Sequence, residues 1–259
     1  MNTSTHDIVL LGINARYRHT AFGLRCLQAN LGELETQSIV VETTISQLPM
    51  EIVERVLKHN PRIVGLGVYV WNTTLCHQVS QLLKTIRPDI QLVLGGPEIS
   101  YETESQALYD VADYIICGEG EKAFARLCVG LLDGKLPEQK VIQGSAPPMH
   151  DLASPYRLYT DEDIAKRVTY VEASRGCPYR CQFCLSSLDK AVRAVDPESF
   201  FADMDDLIER GARDFKFIDR TFNLNIQFSL SILEFFLNHK RNDFSLHFEM
   251  VPDRLPDEL

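Results

Sequence analysis

No run of apolar residues in this sequence approaches the roughly 20 needed to cross a bilayer; stretches such as VGLGVYVW at 64–71 stop far short of it. No membrane span is expected. The opening MNTSTHDIVLLG lacks a basic segment ahead of an apolar one, so no secretory leader is expected and a cytoplasmic location is. Basic residues are also short: 26 Lys and Arg against 36 Asp and Glu leave a formal net charge of −10. That deficit offers no electrostatic footprint for nucleic acid or an anionic lipid surface, and neither is expected as a partner. The cysteines number seven, an odd count, which with no leader argues against a disulfide framework. Cys26, Cys76, Cys117 and Cys128 are scattered among apolar residues and read as small buried hydrophobes. Internal repeats and low-complexity tracts are absent.

What the sequence does have is alternation. DIVLLGIN, QSIVVETT, PRIVGLGVYVW, DIQLVLGG and ADYIICGEG are short apolar runs. Between and after them lie TAFGLRCLQANLG, QLPMEIVERVLKHN, NTTLCHQVSQLLKTIRP, ISYETESQALYDV and EKAFARLCVGLLDG, with helical spacing. Continuous apolar strands alternating with amphipathic helices predict a parallel sheet covered on both faces. The fold class is therefore α/β, with a doubly wound, Rossmann-like domain over residues 1–142. A Pro-, Ser- and Asp-rich stretch predicts a linker at 143–165. A second βα series fills 166–259: strands RVTYVEASRG, DFKFIDRTFN and FSLHFEMV, with helices DPESFFADMDDLIERGA and IQFSLSILEFFLNHK. Asp196 before Pro197 is a strong helix start. Three such units cannot close a barrel and leave sheet edges open, so the chain is expected to be truncated, or completed by residues supplied elsewhere.

Three of the seven cysteines crowd into SRGCPYRCQFC, residues 174–184. Thiolates at this spacing bind soft metals or iron–sulfur clusters. A structural zinc site closes four ligands, and a ferredoxin run adds a fourth cysteine. Here no cysteine follows Cys184, and the nearest upstream histidine is His150 in the linker. Three thiolates point to a metal centre with one position open, as catalytic centres keep it. The motif lies just past the carboxyl end of the first strand of the second series, the face that carries chemistry in barrel-type α/β folds. Gly176 and Pro178 suit an irregular loop around a cluster. The alternative is a non-catalytic corrinoid- or metal-binding module with structural zinc or a redox iron–sulfur site.

The pattern Cys177-x-x-x-Cys181-x-x-Cys184, with aromatic Phe183 before the last cysteine, resembles the signature of the radical S-adenosylmethionine (radical SAM) superfamily. The resemblance implies that the second series is the first half of a partial (β/α) barrel. It implies a [4Fe–4S] cluster on Cys177, Cys181 and Cys184 whose free iron chelates S-adenosylmethionine, reductive cleavage to a 5′-deoxyadenosyl radical, and an electron donor such as flavodoxin or ferredoxin. It places Phe183 beside the S-adenosylmethionine, Asp219 or Thr221 at the end of the second strand against its amino group, and Glu249 at the third strand's edge against ribose or substrate. In the first half, VGLGVYVWNTT, LVLGGPEIS and ADYIICGEGEKAF resemble the cobalamin-binding domain that precedes many radical SAM domains, over about residues 7–130. Glycines at strand ends let backbone approach a large flat ligand closely. The residues so implicated in cobalamin binding are Tyr17, Trp71, Asn72, Gly95, Gly96, Pro97, Glu98, Gly118, Glu119 and Gly120. One departure matters. Many such domains carry Asp-x-His-x-x-Gly after the first strand, the histidine ligating cobalt. Here Tyr17 stands in the Asp position and Gly23 comes one residue late, so His19 is not expected to ligate. The implied activity is that of a cobalamin-dependent radical SAM enzyme. Its substrate, small molecule or peptide, is unspecified, and its outcome is methyl transfer or cyclisation; taken alone, this chain is expected to be an inactive fragment if its barrel stays incomplete.

Overall fold

The computed structural model describes residues 5–185, 189–241, 243–253 and 255. The chain end at 256–259, on which the expectation of truncation partly rests, lies outside the described residues. The chain divides into two compact units, Met1–Pro147 with Leu152–Leu158, and Pro148–Asp151 with Tyr159–Leu259.

In the first unit, strands β1 (Ile8–Asn14), β2 (Ser38–Thr44), β3 (Ile63–Gly67), β4 (Gln91–Gly95), β5 (Tyr114–Cys117) and β6 (Val141–Gln143) form one sheet in the order β2-β1-β3-β4-β5-β6. Every pairing is parallel. β1 is buried throughout, and its alternate residues feed two cores. Val9, Leu11 and Ile13 join Ile52, Val53, Val79 and Leu83 from helices α2 (Pro49–Leu57) and α3 (Thr73–Ile86). Ile8 and Leu10 join Leu24, Phe124 and Leu127 from α1 (Phe22–Ala29) and α5 (Glu121–Leu132). Gly12 lets α1 close on the sheet: a Cβ there would stand 2.8 Å from that of Ala21. The winding reverses between β1 and β3, and at such a switch point open α/β sheets bind ligands beyond the carboxyl ends of their strands.

Two local readings change. The helix expected over ISYETESQALYDV shrinks to α4 (Ala107–Val111). Ser100 Oγ donates to Gly96 O and Thr103 Oγ1 to Ile99 O, and Glu102 takes a left-handed conformation, so the polar residues hold a turn in place of a helix. β6 is a sixth strand where five were expected; three residues are too few to show periodicity.

In the second unit, β7 (Thr169–Val171), β10 (Asp214–Phe217) and β11 (Ser245–His247) make a parallel sheet in the order β11-β10-β7. The segment expected to be a linker contributes a short helix, α6 (Asp161–Lys166), capped reciprocally by Thr160 and Asp163. Helix α7 (Pro197–Glu209) starts on Asp196, which accepts from Ser199 N at 2.9 Å, with Pro197 in the first turn. Helix α8 (Ile226–Asn238) starts on Asn225, which accepts from Phe228 N. An aromatic seam joins sheet to helices: Phe215 meets Phe236 at 5.1 Å and Phe217 meets Phe200 at 6.2 Å between ring centres. Such pairs add about 0.5–1.5 kcal/mol each beyond the area they bury. Between β7 and α7, β8 (Ser174–Arg175) and β9 (Arg193–Ala194) form a two-residue antiparallel ribbon.

Candidate functional site

The ribbon closes the cysteine loop at its base. Ser174 pairs with Ala194 and Arg175 with Arg193, so the described residues 176–185 and 189–192 lie in a loop just beyond the carboxyl end of β7. Gly176 sits at its mouth with φ +89°, and a Cβ there would lie 2.2 Å from Ala191 O. No side chain fits that approach, so glycine is required. Cys177 N donates to Asp189 O across the mouth, and Cys184 N donates to Cys181 O, placing the last two thiols on one turn. Cys177 is buried, Cys184 half-buried and Cys181 exposed, and none is in a disulfide. Among the described residues no three His, Cys, Asp or Glu side chains converge closely enough to hold a metal ion. The three thiols share a closed loop without converging in it. As a donor set they fit a soft metal or an iron–sulfur cluster: three sulfurs outside any disulfide on eight residues, held at the chemical edge of a parallel sheet. Phe183 is 93% exposed beside Cys184.

The residues expected against S-adenosylmethionine are placed differently from one another. Asp219 is only 2% exposed, and both its oxygens are engaged: Oδ2 accepts from Ala173 N at 3.0 Å and Oδ1 from Ser174 Oγ at 2.7 Å. Burial pushes its pKa above the ordinary carboxylate value, while these hydrogen bonds pull it back down. The carboxylate thereby anchors the end of β10 to the base of the cysteine loop. Thr221, 3% exposed, faces the motif itself: its Oγ1 is 3.6 Å from Cys177 Sγ. Glu249 lies exposed just past β11, and its carbonyl accepts from Phe222 N at 2.8 Å. The ends of β7, β10 and β11 are thereby tied together around Cys177.

In the first unit, the residues expected to bind cobalamin lie at or just past the carboxyl ends of β1, β3, β4 and β5, Gly95 being the last residue of β4. Tyr17 is exposed after β1. Trp71, 48% exposed, stacks on Tyr69 with ring centres 4.5 Å apart, and its Nε1 donates to Ile13 O at 3.3 Å. Asn72 spends its side chain within the fold. At 1% exposure its Nδ2 donates to Ile13 O and Gly67 O, and its Oδ1 accepts from Tyr69 N. It is a lock between β1 and β3 at the switch point, and makes no side-chain cap for α3. Gly96 has φ +109° and comes so near Val68 that a Cβ would stand 2.5 Å from its carbonyl oxygen. Gly95 O accepts from Val68 N, and Ser100 Oγ links Gly96 O to Gly118 N, so the β3, β4 and β5 loops make one crest. Pro97 and Gly118 are exposed on it; Glu98, Glu119 and Gly120 are half-buried. His19 takes part through its backbone: its carbonyl accepts from Asn14 Nδ2.

Sequence reasoning missed the group that shapes the loop after β1. Glu42 on β2 accepts from Asn14 Nδ2 at 2.9 Å, from Ala21 N and from Arg25 at 2.9 Å, and the Arg25–Glu42 pair is nearly buried. An ionisable residue amid the apolar QSIVVETT strand was the available signal. It also missed Ser174 and Gly144. A Cβ on Gly144 would stand 1.9 Å from Glu119 O, so the β5 loop is packed against the chain after β6.

Residues 8–128 match the B12-binding family, described as a B12 binding domain. The chain is 27% identical over 207 residues to an uncharacterized methyltransferase, PH0819, of Pyrococcus horikoshii, covering 70% of this chain and 44% of that protein. It is 29% identical over 148 residues to the cobalamin-dependent radical SAM methyltransferase TokK of Streptomyces tokunonensis, covering 48% of this chain and 22% of TokK. The fold matches that of the radical S-adenosylmethionine methyltransferase TsrM of Kitasatospora setae, solved with cobalamin and a [4Fe–4S] cluster bound. The TM-score is 0.74 at 17% identity, over 98% of this chain and 56% of TsrM. The chain thus spans less than two thirds of each of these proteins, and its fold, a parallel-sheet unit followed by a second βα unit, is the fold of the corresponding part of TsrM. Among the described residues no helix is long and apolar enough to cross a membrane.

Proposed function

We propose that this chain, which carries a B12-binding domain over residues 8–128 and resembles the cobalamin-dependent radical SAM proteins, is the cofactor-binding part of a radical SAM methyltransferase. Cys177, Cys181 and Cys184 hold a [4Fe–4S] cluster, and the crest formed by Tyr17, Trp71, Gly95–Glu98 and Gly118–Gly120 meets the corrin. Bound together, these groups supply the electron that cleaves S-adenosylmethionine and a carrier for the methyl group. The protein's share is placement. Gly176 and the β8–β9 ribbon hold the cysteine loop at the sheet edge, Asp219 anchors that loop to β10, and Asn72 and Gly96 keep the crest closed at the switch point. The observation that carries the reading is three cysteines, none in a disulfide, on a glycine-hinged loop at the carboxyl edge of a parallel strand, in a chain whose other unit matches a B12 binding domain. Methyl transfer is preferred over cyclisation because both relatives described above are methyltransferases.

Anaerobic reconstitution tests it. Iron and sulfide should load to about four each, with a brown chromophore whose reduced-state electron paramagnetic resonance changes on adding S-adenosylmethionine. Cys181→Ala should lose that iron. A colourless protein holding one tight zinc, or a Cys181→Ala variant with wild-type iron, would instead make the chain a non-catalytic metal-binding module. An electron donor such as flavodoxin or ferredoxin belongs to the same proposal.

A further inference from the structure

Thr221 is a buried hydroxyl with one use. It is 3% exposed, and its Oγ1 lies 3.6 Å from Cys177 Sγ, itself 7% exposed. Among the described residues that oxygen has no other hydrogen-bond partner. A hydroxyl shut away from water keeps its proton on an acceptor or costs free energy. The partner here is sulfur, and with Cys177 as a thiol either atom can donate. The backbone on both sides leaves little freedom: Asp219, two residues earlier, is bonded to Ala173 N and Ser174 Oγ, and Phe222 N, one residue later, is bonded to Glu249 O. Threonine is also stiff about χ1, so the hydroxyl is held in place.

We propose that Thr221 is a positioning residue that donates a hydrogen bond to Cys177 Sγ and raises the reduction potential of the cluster carried there. It rests on Cys177 being a cluster ligand, as argued above. A cluster-bound sulfur has no proton of its own, so the direction of the bond is fixed: Thr221 gives and sulfur receives. Adding an electron to a cluster makes its sulfurs more negative. A hydrogen bond to sulfur therefore favours the reduced state, one of the recognised ways a protein sets such potentials. The bond also tethers the one buried thiol of the three, leaving the exposed Cys181 and half-buried Cys184 to close on the metal.

The test uses the full chain reconstituted with iron and sulfide, titrated with dithionite and redox mediators and read by electron paramagnetic resonance. Thr221→Val keeps the shape and removes the donor; Thr221→Ser keeps the donor. At a fixed poise, Thr221→Val should show about a tenfold lower ratio of reduced to oxidised cluster, equivalent to a potential about 59 mV lower for one electron. Thr221→Ser should stay near wild type. A Thr221→Val protein with full iron and an unchanged potential would overturn the proposal. Should Thr221→Val hold no iron, wild type and Thr221→Ser decide. Their Fe–S stretching bands in resonance Raman must shift on exchange into D₂O, and an absent shift overturns it. If wild type itself takes up no iron, the cluster reading fails and this inference falls with it. The iron and sulfide assay separates that case from the others.

Discussion

At the scale of single residues, environment divides the seven cysteines into two chemistries. Cys76 and Cys128 are fully buried, and burial pushes both thiols up to about 12, so they stay protonated throughout the neutral range. Cys181 is exposed and Cys184 half so. Brief alkylation of the native, metal-free protein at pH 8, read by peptide mass spectrometry, should label Cys181 first and Cys184 next, and leave Cys76 and Cys128 unmodified. Loading with iron and sulfide should then protect Cys181 and Cys184; continued labelling of both in the loaded protein would contradict their role as ligands. Glu42 makes a second residue-scale case. With Arg25 buried beside it, Glu42→Ala leaves an uncompensated charge in the core, at a cost of about 3–5 kcal/mol. Chemical denaturation measures that loss, and a loss below about 1 kcal/mol would mean that water reaches Arg25 readily.

At the scale of elements, the cysteine loop depends on a ribbon two residues wide. Gly176→Ala puts a side chain where φ is +89° and a backbone oxygen stands 2.2 Å away, so the ribbon must open. The strain is about 1–3 kcal/mol locally. Iron uptake should fall several-fold while hydroxocobalamin binding by the first unit stays unchanged. Equal loss of both would point to global unfolding, and loss of neither to a loop that tolerates opening. The ribbon was not legible in the sequence, because a two-residue pairing has no period. The long strands and helices were: IVLLGIN and IVGLG read as buried strands from their unbroken apolar character, and α7 from Asp196 and Pro197. That the three cysteines share one stretch of chain was legible too, but not that their thiols stand apart in it. What stayed hidden was how polar side chains are spent. Asp219 and Asn72 sit at strand ends, where a sequence offers them equally to ligand or fold, and only burial with full hydrogen bonding reveals the fold as their partner. Ser100 and Thr103 likewise turned an expected helix into a turn by bonding their own backbone.

At the scale of the molecule, a sheet ordered β2-β1-β3-β4-β5-β6 with every strand parallel has two unlike ends, because all its carboxyl termini emerge on one side. The crest lies there, with its stacked Tyr69 and Trp71, exposed Tyr17 and Pro97, and glycines at 95, 96, 118 and 120. The opposite end carries the loops at 30–37, 58–62, 87–90 and 133–140 and, among the described residues, has no such gathering of close-approach glycine and exposed aromatic residues. Binding at the crest therefore has a directional signature. With hydroxocobalamin at about 100 times its dissociation constant, the bound state is stabilised by about 2.7 kcal/mol. Amides in the loops at 14–21, 68–72, 95–100 and 118–120 that exchange by opening the site should slow by up to about 100-fold. Those in the loops at the other end should keep their rates. Protection spread evenly over both ends would mean a global stabilisation with no defined site, and protection confined to the loops at the amino ends of the strands would put the corrinoid at the other end of the sheet and overturn the crest as its site.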